Sequence, residues 1–481
     1  MPTKLTTLFV LIMLLHPAAL SHAQNPATKT GYDLVILNGT VMDPESGLAA
    51  IQNLGIKGGK IEAMTTEPLE GRSTVDARGL VVAPGFIDLH QHGQDDENYR
   101  LKATDGVTTA LELEVGTADI DRWYEQRAGK ALINYGVSIG HPQVRMAIMH
   151  DPGDLLPSGD AAHKAASDAQ IQEMKRQIDH GLRRGAVAVG FGVAYTEAAS
   201  TWEILEMFRV AAQYGASCHV HLRGGPDREQ GLEEVLADAA ITGAPLHVVH
   251  IQSTGGPETA RELEMIRGAR AHGLDVTTEM YPYTAGMTRI DSAVLDEWEK
   301  NPNSPFQNLL WPATGERLTR ESFAKYRKTG GFVIMFTNTE AIVDNAARNP
   351  LTMVASDGIM ANGKGHPRTA GTYSRFLGHY VRETGDLTLM DALRKMTLMP
   401  AQRLEKRVPM MKNKGRIRVG ADADITIFEP ERIKDKATYE APALPPEGIQ
   451  FVVVNGTIVV DKGQLKIGAS PGQAVRAPAQ H

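Results

Sequence analysis

The chain of 481 residues is 42% hydrophobic and 22% charged, a balance that describes a folded protein and excludes a disordered chain, a collagen or a coiled coil. Its 50 Lys and Arg against 57 Asp and Glu give a formal charge of −7, which offers no general attraction to nucleic acid or to anionic lipid. The one cysteine, Cys218, excludes an internal disulfide and a zinc site of clustered thiolates, so a metal has to be held by His, Asp and Glu.

In chain order, Lys4 precedes an unbroken apolar run over residues 8–15 that leads to the small-residue stretch Ser21-His22-Ala23. The pattern predicts a signal peptide over 1–23 and a periplasmic or secreted protein. The run is shorter than the roughly 20 residues a membrane span needs, so no membrane association is expected after its removal.

Residues 32–41 form a β-rich run interrupted by Asn38-Gly39, and residues 451–460 repeat the device around Asn455-Gly456. Asn-Gly between apolar strands predicts a tight hairpin, because both residues tolerate positive φ. The Asn-Gly-Thr strings also match a glycosylation acceptor, a weaker reading than the turn. The two ends are expected to share one small β-sandwich domain, formed from 24–83 and 406–481.

Between them, β-type runs alternate with helix-length amphipathic stretches, the pattern of parallel β/α units. The runs cover 86–90, 108–114, 144–150, 186–191, 216–221, 246–251, 275–280 and 351–356. Eight of them predict an α/β fold of the (β/α)8 TIM-barrel type over 84–405, with its site at the C-terminal strand ends. Residues of about 287–331 are rich in Pro, Asn and Lys and read as an inserted lid or small subdomain. The apolar run 332–336 either returns the chain to the barrel or extends the seventh strand.

Polar residues fall repeatedly where strands end. His90 and His92 close the first run, His219 and His221 the fifth, His250 the sixth, and Asp357 follows the last. A single such residue is more often a satisfied polar contact, but six at four strand ends form the dispersed pattern of a metal site. Two adjacent cations need a shared anionic ligand, and the second run offers Glu112 and Glu114 on one strand face. A buried carboxylate without a partner is costly. Glu114, nearer the mouth, is the first candidate for the bridge, and Glu112 is the second candidate or a partner of a ligand histidine.

The string from Val81 to His92, with Pro84-Gly85-Phe86-Ile87-Asp88-Leu89-His90-Gln91-His92, resembles the opening signature of the amidohydrolase superfamily. The segments 185–195, His221-Leu222-Arg223, Tyr281-Pro282-Tyr283, Ser356-Asp357-Gly358, His366-Pro367-Arg368 and 396–401 resemble its D-aminoacylase, or N-acyl-D-amino-acid deacylase, branch. The resemblance spans nearly the whole chain after the leader. It implies that His90 and His92 hold one metal, that His221 and His250 hold the other, and that Asp357 is the catalytic acid and base.

Two departures stand out. The branch bridges its metals with a cysteine at the end of the second strand, where this chain has Glu112 and Glu114. After His250 the branch tends to carry His-Lys, whereas this chain has Ile251-Gln252, so a lysine contact to the substrate carboxylate is missing.

The expected reaction is amide hydrolysis of an N-acyl, D-configured amino acid or dipeptide, by attack of metal-bound hydroxide with Asp357 carrying the proton. Zinc, as one or two ions, is the expected cofactor, and manganese, cobalt or iron suit the same donors. Arg368 resembles the branch's carboxylate-binding arginine, and Arg223 is the second choice. Tyr195 and Tyr283 end strand regions and are candidates for substrate contact or for packing. Cys218 is expected in the core, and His247 is expected to be structural by strand parity. The alternatives are a cyclic-amide hydrolase of the dihydroorotase or hydantoinase type, an isoaspartyl or D-dipeptidase, and, distantly, a non-catalytic barrel scaffold. Oligomeric state is left open.

Overall fold

The computed structural model describes residues 1–3, 31–225 and 227–480, so the leader read over 1–23 lies, but for three residues, outside them. Among the described residues no helix is long and apolar enough to cross a membrane.

Eight parallel strands form the centre: β1 (Phe86–Asp88), β2 (Val107–Thr117), β3 (Asn134–Gly140), β4 (Val189–Gly192), β5 (Cys218–His221), β6 (Leu246–Val248), β7 (Val276–Met280) and β8 (Thr352–Val354). They pair strictly in sequence order. Closure comes just beyond the strand ends, where Gln91 bridges Gly358 in parallel and the Asp357 N–H donates to the His90 carbonyl at 2.7 Å. The Ser356 hydroxyl donates to Asp88 at 2.6 Å and ties the two edges side chain to side chain. Residues 107–115 of β2 are all buried, as expected for a strand covered on both faces.

The surrounding helices follow local rules. In Asp168–Arg183 the Ser167 hydroxyl and Gln170 form a capping box, while Ile171, Met174, Ile178 and Leu182 fall on one buried stripe. The cap contributes about 1 kcal/mol, and the stripe fixes the helix against the barrel.

The third strand differs from expectation. Residues 144–150 are not β: the helix His141–Met149 occupies them, with Pro142 in its first turn, and β3 lies before it. β3 reads as Asn-Tyr-Gly-Val-Ser-Ile-Gly and lacks an apolar signature because backbones press on it. A Cβ on Gly140 would lie 1.8 Å from the Val115 carbonyl oxygen, and one on Gly136 would lie 2.5 Å from that of Val475.

The two chain ends do share one nine-stranded sheet, in which Val81–Pro84 pairs with Ile425–Phe428 and with the strand Tyr32–Asp43. Leu34, Ile36, Leu54, Val82, Ile425, Ile427 and Val453 form a common core there. Only the second Asn-Gly is a hairpin. Asn455 and Gly456 take φ of 47° and 80° between Ile449–Val454 and Thr457–Asp461. Asn38-Gly39 is instead a bulge inside one continuous strand, marked by a register shift between Ile36 and Gly39. Glycine is required at 39 because a Cβ would meet the Val82 side chain at 2.4 Å.

The insertion is larger than 287–331. Ala285–Arg289 pairs with Phe332–Phe336, and Leu309–Trp311 pairs on the other side, so the run 332–336 belongs to a separate four-stranded sheet rather than to the barrel. Its turn Ala293–Leu295 packs on the turn Val193–Tyr195 at the end of β4, which sets the insertion over the barrel mouth.

Candidate metal centre

The C-terminal ends of β1, β2, β5, β6 and β8 bring together two overlapping groups: His90, His92, Glu114 and Asp357, and Glu114, His221 and His250. Glu114 belongs to both. Its Oε2 lies 2.5 Å from His90 Nε2 and 3.4 Å from His92 Nε2, while its Oε1 lies 2.9 Å from His221 Nδ1. One carboxylate oxygen therefore serves each group, as a bridging ligand must.

Glu112 lies outside both groups and pairs with one of their histidines. Its Oε2 accepts the His92 Nδ1 proton at 2.6 Å, and its Oε1 accepts the N–H groups of Val115 and Gly116 at 3.0 and 3.3 Å. The carboxylate is saturated away from the centre and fixes the His92 ring.

Glu279 on β7 does the same for His90, accepting from Nδ1 at 2.7 Å. His247 braces Glu279 from behind with Nε2 at 3.0 Å, and Thr277 in turn faces His247 Nδ1 at 2.8 Å. Glu279 is not among the residues singled out from the sequence. The available signal was a lone glutamate inside a buried parallel strand, two residues from the lumen-facing Thr277.

These bonds set the tautomers. With Nδ1 of both rings donating to carboxylates, the Nε2 atoms of His90 and His92 face one another at 3.2 Å. In neutral rings both would be bare lone pairs, which repel one another unless a proton or a cation is placed between them. Burial opposes charge on both imidazoles, yet Asp357 and Glu114 around His90, and Glu112 and Asp357 around His92, raise both pKa values well above the ordinary histidine value. Four buried carboxylates, Glu112, Glu114, Glu279 and Asp357, thus call for positive charge at this point. His250 is held neutral, because burial and then the neighbouring His221 push it down to about 3. The N and O donors fit divalent cations such as zinc.

Asp357 divides its oxygens. Oδ1 lies 3.1 Å from His92 Nε2 and 3.5 Å from His90 Nε2, whereas Oδ2 faces Arg368 Nη1 at 3.0 Å. Burial opposes the carboxylate, but Arg368 and His90 hold its pKa well below the usual range. Its backbone sits at φ 51°, and His250 at 31°. Non-glycine residues occupy that region at a cost, typically where function fixes them.

Other expectations divide. Arg368 is fully buried beside Asp357, with its guanidinium 4.5 Å above the Tyr281 ring. Tyr195 is buried edge-on to His221 at 4.8 Å. Arg223 instead makes a bidentate pair with Glu234 at 2.7 and 2.8 Å, which occupies the fork expected for substrate. Tyr283 donates to Asp435 at 3.3 Å and is turned to the C-terminal segment. The tyrosine at the centre is Tyr281, whose buried hydroxyl has no hydrogen-bond partner. His219 lies one layer deeper, 3.0 Å from the Ser217 hydroxyl and stacked near His247, outside both ligand groups. Cys218 is buried in the core.

Residues 81–459 match the amidohydrolase family. The chain belongs to that family. It is 31% identical to the N-acyl-D-glutamate deacylase of Alcaligenes xylosoxydans xylosoxydans over 93% of this chain and 97% of that protein. To the D-aminoacylase of the same organism it is 30% identical, over 89% and 94%. The crystal structure of the Bordetella bronchiseptica N-acyl-D-glutamate deacylase, complexed with zinc and a phosphonate inhibitor that mimics the tetrahedral intermediate, superposes with a TM-score of 0.80 at 28% identity, covering 93% of this chain and all of that one. As an amidohydrolase with deacylase relatives, the protein is a hydrolytic enzyme acting on amide bonds.

Proposed function

We propose that this amidohydrolase is an N-acyl-D-amino-acid deacylase using zinc at a two-ion centre. His90, His92 and Asp357 would hold one ion, His221 and His250 the other, and Glu114 would bridge them. The observation that carries the reading is the division of Glu114, one oxygen to each ligand group. Cations bound there would lower the pKa of a water toward about 7 and polarise the scissile carbonyl.

The protein's own groups supply the rest. Asp357, whose Oδ2 faces Arg368 Nη1 at 3.0 Å and not the histidines, takes the proton of the attacking water. The C–O bond forms, the C–N bond breaks, and Asp357 returns the proton to the leaving nitrogen, giving a carboxylic acid and a free amino acid. The buried Arg368 fork and the unpartnered Tyr281 hydroxyl provide donors for the substrate carboxylate. Tyr195, against His221, is set to contact the acyl carbonyl. The D configuration is supported by the named activities of the relatives.

The test is a hydrolysis screen of N-acetyl and N-succinyl D- and L-amino acids, dipeptides, and cyclic amides, with metal analysis on the same sample. Release of an acid and a D-amino acid supports the reading. Turnover of cyclic amides alone, with a single ring-opened product, overturns it.

A further inference from the structure

We infer that His366 is a positioning residue: its imidazole joins the backbone of Arg368 to the backbone of Ala285, so that the guanidinium offered to the substrate carboxylate and the first strand of the insertion are held as one unit. The inference rests on the deacylase reading for the part played by Arg368, and it concerns a residue outside both groups of the centre.

His366 is fully buried, and both of its ring nitrogens are engaged. Nδ1 accepts the Arg368 backbone N–H at 3.0 Å, and Nε2 donates to the Ala285 carbonyl at 2.9 Å. An acceptor at Nδ1 and a donor at Nε2 define one tautomer of the neutral ring. Burial and then the Arg368 charge keep the pKa well below the ordinary histidine value, so the ring stays in that neutral form. Its plane is fixed from two sides, by Tyr283 edge-on at 5.3 Å and Tyr439 edge-on at 5.2 Å.

Each bond meets a need of the backbone. Arg368 opens the helix Arg368–Arg375, whose N-cap residue, Pro367, provides no side-chain acceptor. The first N–H groups of a helix have no partner within it. His366 supplies two acceptors, its imidazole for Arg368 and its carbonyl for Thr369 at 3.1 Å. The Cα of Arg368 is thereby set before its side chain reaches Asp357.

Ala285–Arg289 is the edge strand of the insertion's sheet, paired on one side only, with Phe332–Phe336. Carbonyls of alternate residues point to the same side of a strand, and along an open edge they lack strand partners. His366 Nε2 takes the Ala285 carbonyl and Arg368 Nη2, at 3.5 Å, that of Met287. At 2.9 Å the His366 bond is the firmer of the two. Gly286 between them lets the strand lie close, since a Cβ there would be 3.1 Å from the Tyr281 hydroxyl.

Asparagine and glutamine would divide the two bonds between them. An asparagine oxygen falls where Nδ1 lies and accepts from the N–H two residues on, as in an Asx-turn, but its amide stops short of Ala285. A glutamine amide nitrogen falls where Nε2 lies and leaves the Arg368 N–H without its acceptor. His366→Asn and His366→Gln are compared with the wild type as metal-loaded full chains, by hydrogen–deuterium exchange and by kinetics on N-acetyl-D-amino acids. A buried group that loses its partner bears its whole desolvation cost, so His366→Asn is expected to speed exchange in 285–289 and 332–336 on the order of tenfold. Exchange in 368–375 and KM are expected to stay within about twofold. His366→Gln is expected to do the reverse, with exchange at the start of 368–375 faster and KM raised on the order of tenfold, kcat changing less and the strand unaltered. Equal effects of the two substitutions on both segments, or no effect of either, would mean that the ring only fills space and would overturn the inference. Failure of the wild type to hydrolyse any N-acyl amino acid overturns the deacylase reading instead, and the two exchange patterns still decide the tie between Arg368 and Ala285.

Discussion

His90 Nδ1 donates to Glu279 Oε1 at 2.7 Å, so a residue outside both groups of the centre decides which nitrogen of His90 faces it. Burial opposes charge on Glu279, yet His247 and His90 hold it at about 2, and it stays a carboxylate at every working pH. Removing such a partner typically costs 10–100-fold in metal affinity. Glu279→Gln is expected to weaken zinc binding by that factor in a competitive chelator titration, with the far-UV circular dichroism unchanged. Equal affinity in variant and wild type would show that the His90 ring is held by its packing alone.

Glu112 and Glu114 are two residues apart on β2, and both are buried, yet they have different partners. Glu114→Ala removes a donor from both groups and is expected to leave the purified protein with less than one ion per chain by elemental analysis. Glu112→Gln keeps every direct donor and loosens only His92, so it is expected to retain metal with roughly 10–100-fold lower affinity. The reverse order of metal loss would make Glu112 the bridge.

Much of this arrangement is legible in sequence because histidine pairs at i, i+2 on a strand must share a face, and because carboxylates on interior strands require partners. What sequence hides is where backbone contact, not side-chain pattern, dictates the residue. β3 reads as a loop since Gly136 and Gly140 replace the apolar residues that neighbouring carbonyls exclude. Asn38-Gly39 and Asn455-Gly456 are the same dipeptide, but the first is a bulge inside one strand, where a Cβ on Gly39 would meet Val82. Arg223 follows His221 by two residues as a substrate-reading arginine would, and only the packing of the helix Glu229–Thr242 reveals that Glu234 claims it. Choosing between Tyr281 and Tyr283 likewise depends on Asp435, which lies 152 residues from Tyr283 in sequence.

Asp357 and Arg368 form a buried pair at 3.0 Å, and their variants are expected to separate chemistry from binding. Asp357→Asn keeps an oxygen donor but cannot accept a proton, so kcat is expected to fall by 10²–10⁴-fold, the usual worth of a general base. Metal content should stay within about half of the wild-type value. Arg368→Lys keeps the charge but loses the planar fork, and its loss is expected mainly in KM, on the order of tenfold or more. Full turnover in Asp357→Asn would remove it from proton transfer.

Glu262 provides a test of stability outside the centre. It lies on the helix Thr259–Ala271, fully buried, and neither carboxylate oxygen has a hydrogen-bond partner. A Cβ on Gly255 would lie 2.3 Å from its Oε2, so the side chain is wedged against backbone. Burial is the leading cause that pushes its pKa from 4.5 up to about 8, with Arg228 working in the opposite direction. A carboxyl with a raised folded pKa binds its proton more tightly folded than unfolded, so its contribution to stability is complete below about pH 4.5 and is lost as pH rises through 8. Glu262→Gln has nearly the same shape and no proton to lose. It is expected to be neutral at pH 5 and to raise stability by a few kcal/mol at pH 8.5, read as Tm or urea midpoint on protein treated identically at both pH values. A Tm difference that is the same at pH 5 and pH 8.5 would mean that Glu262 does not titrate between them.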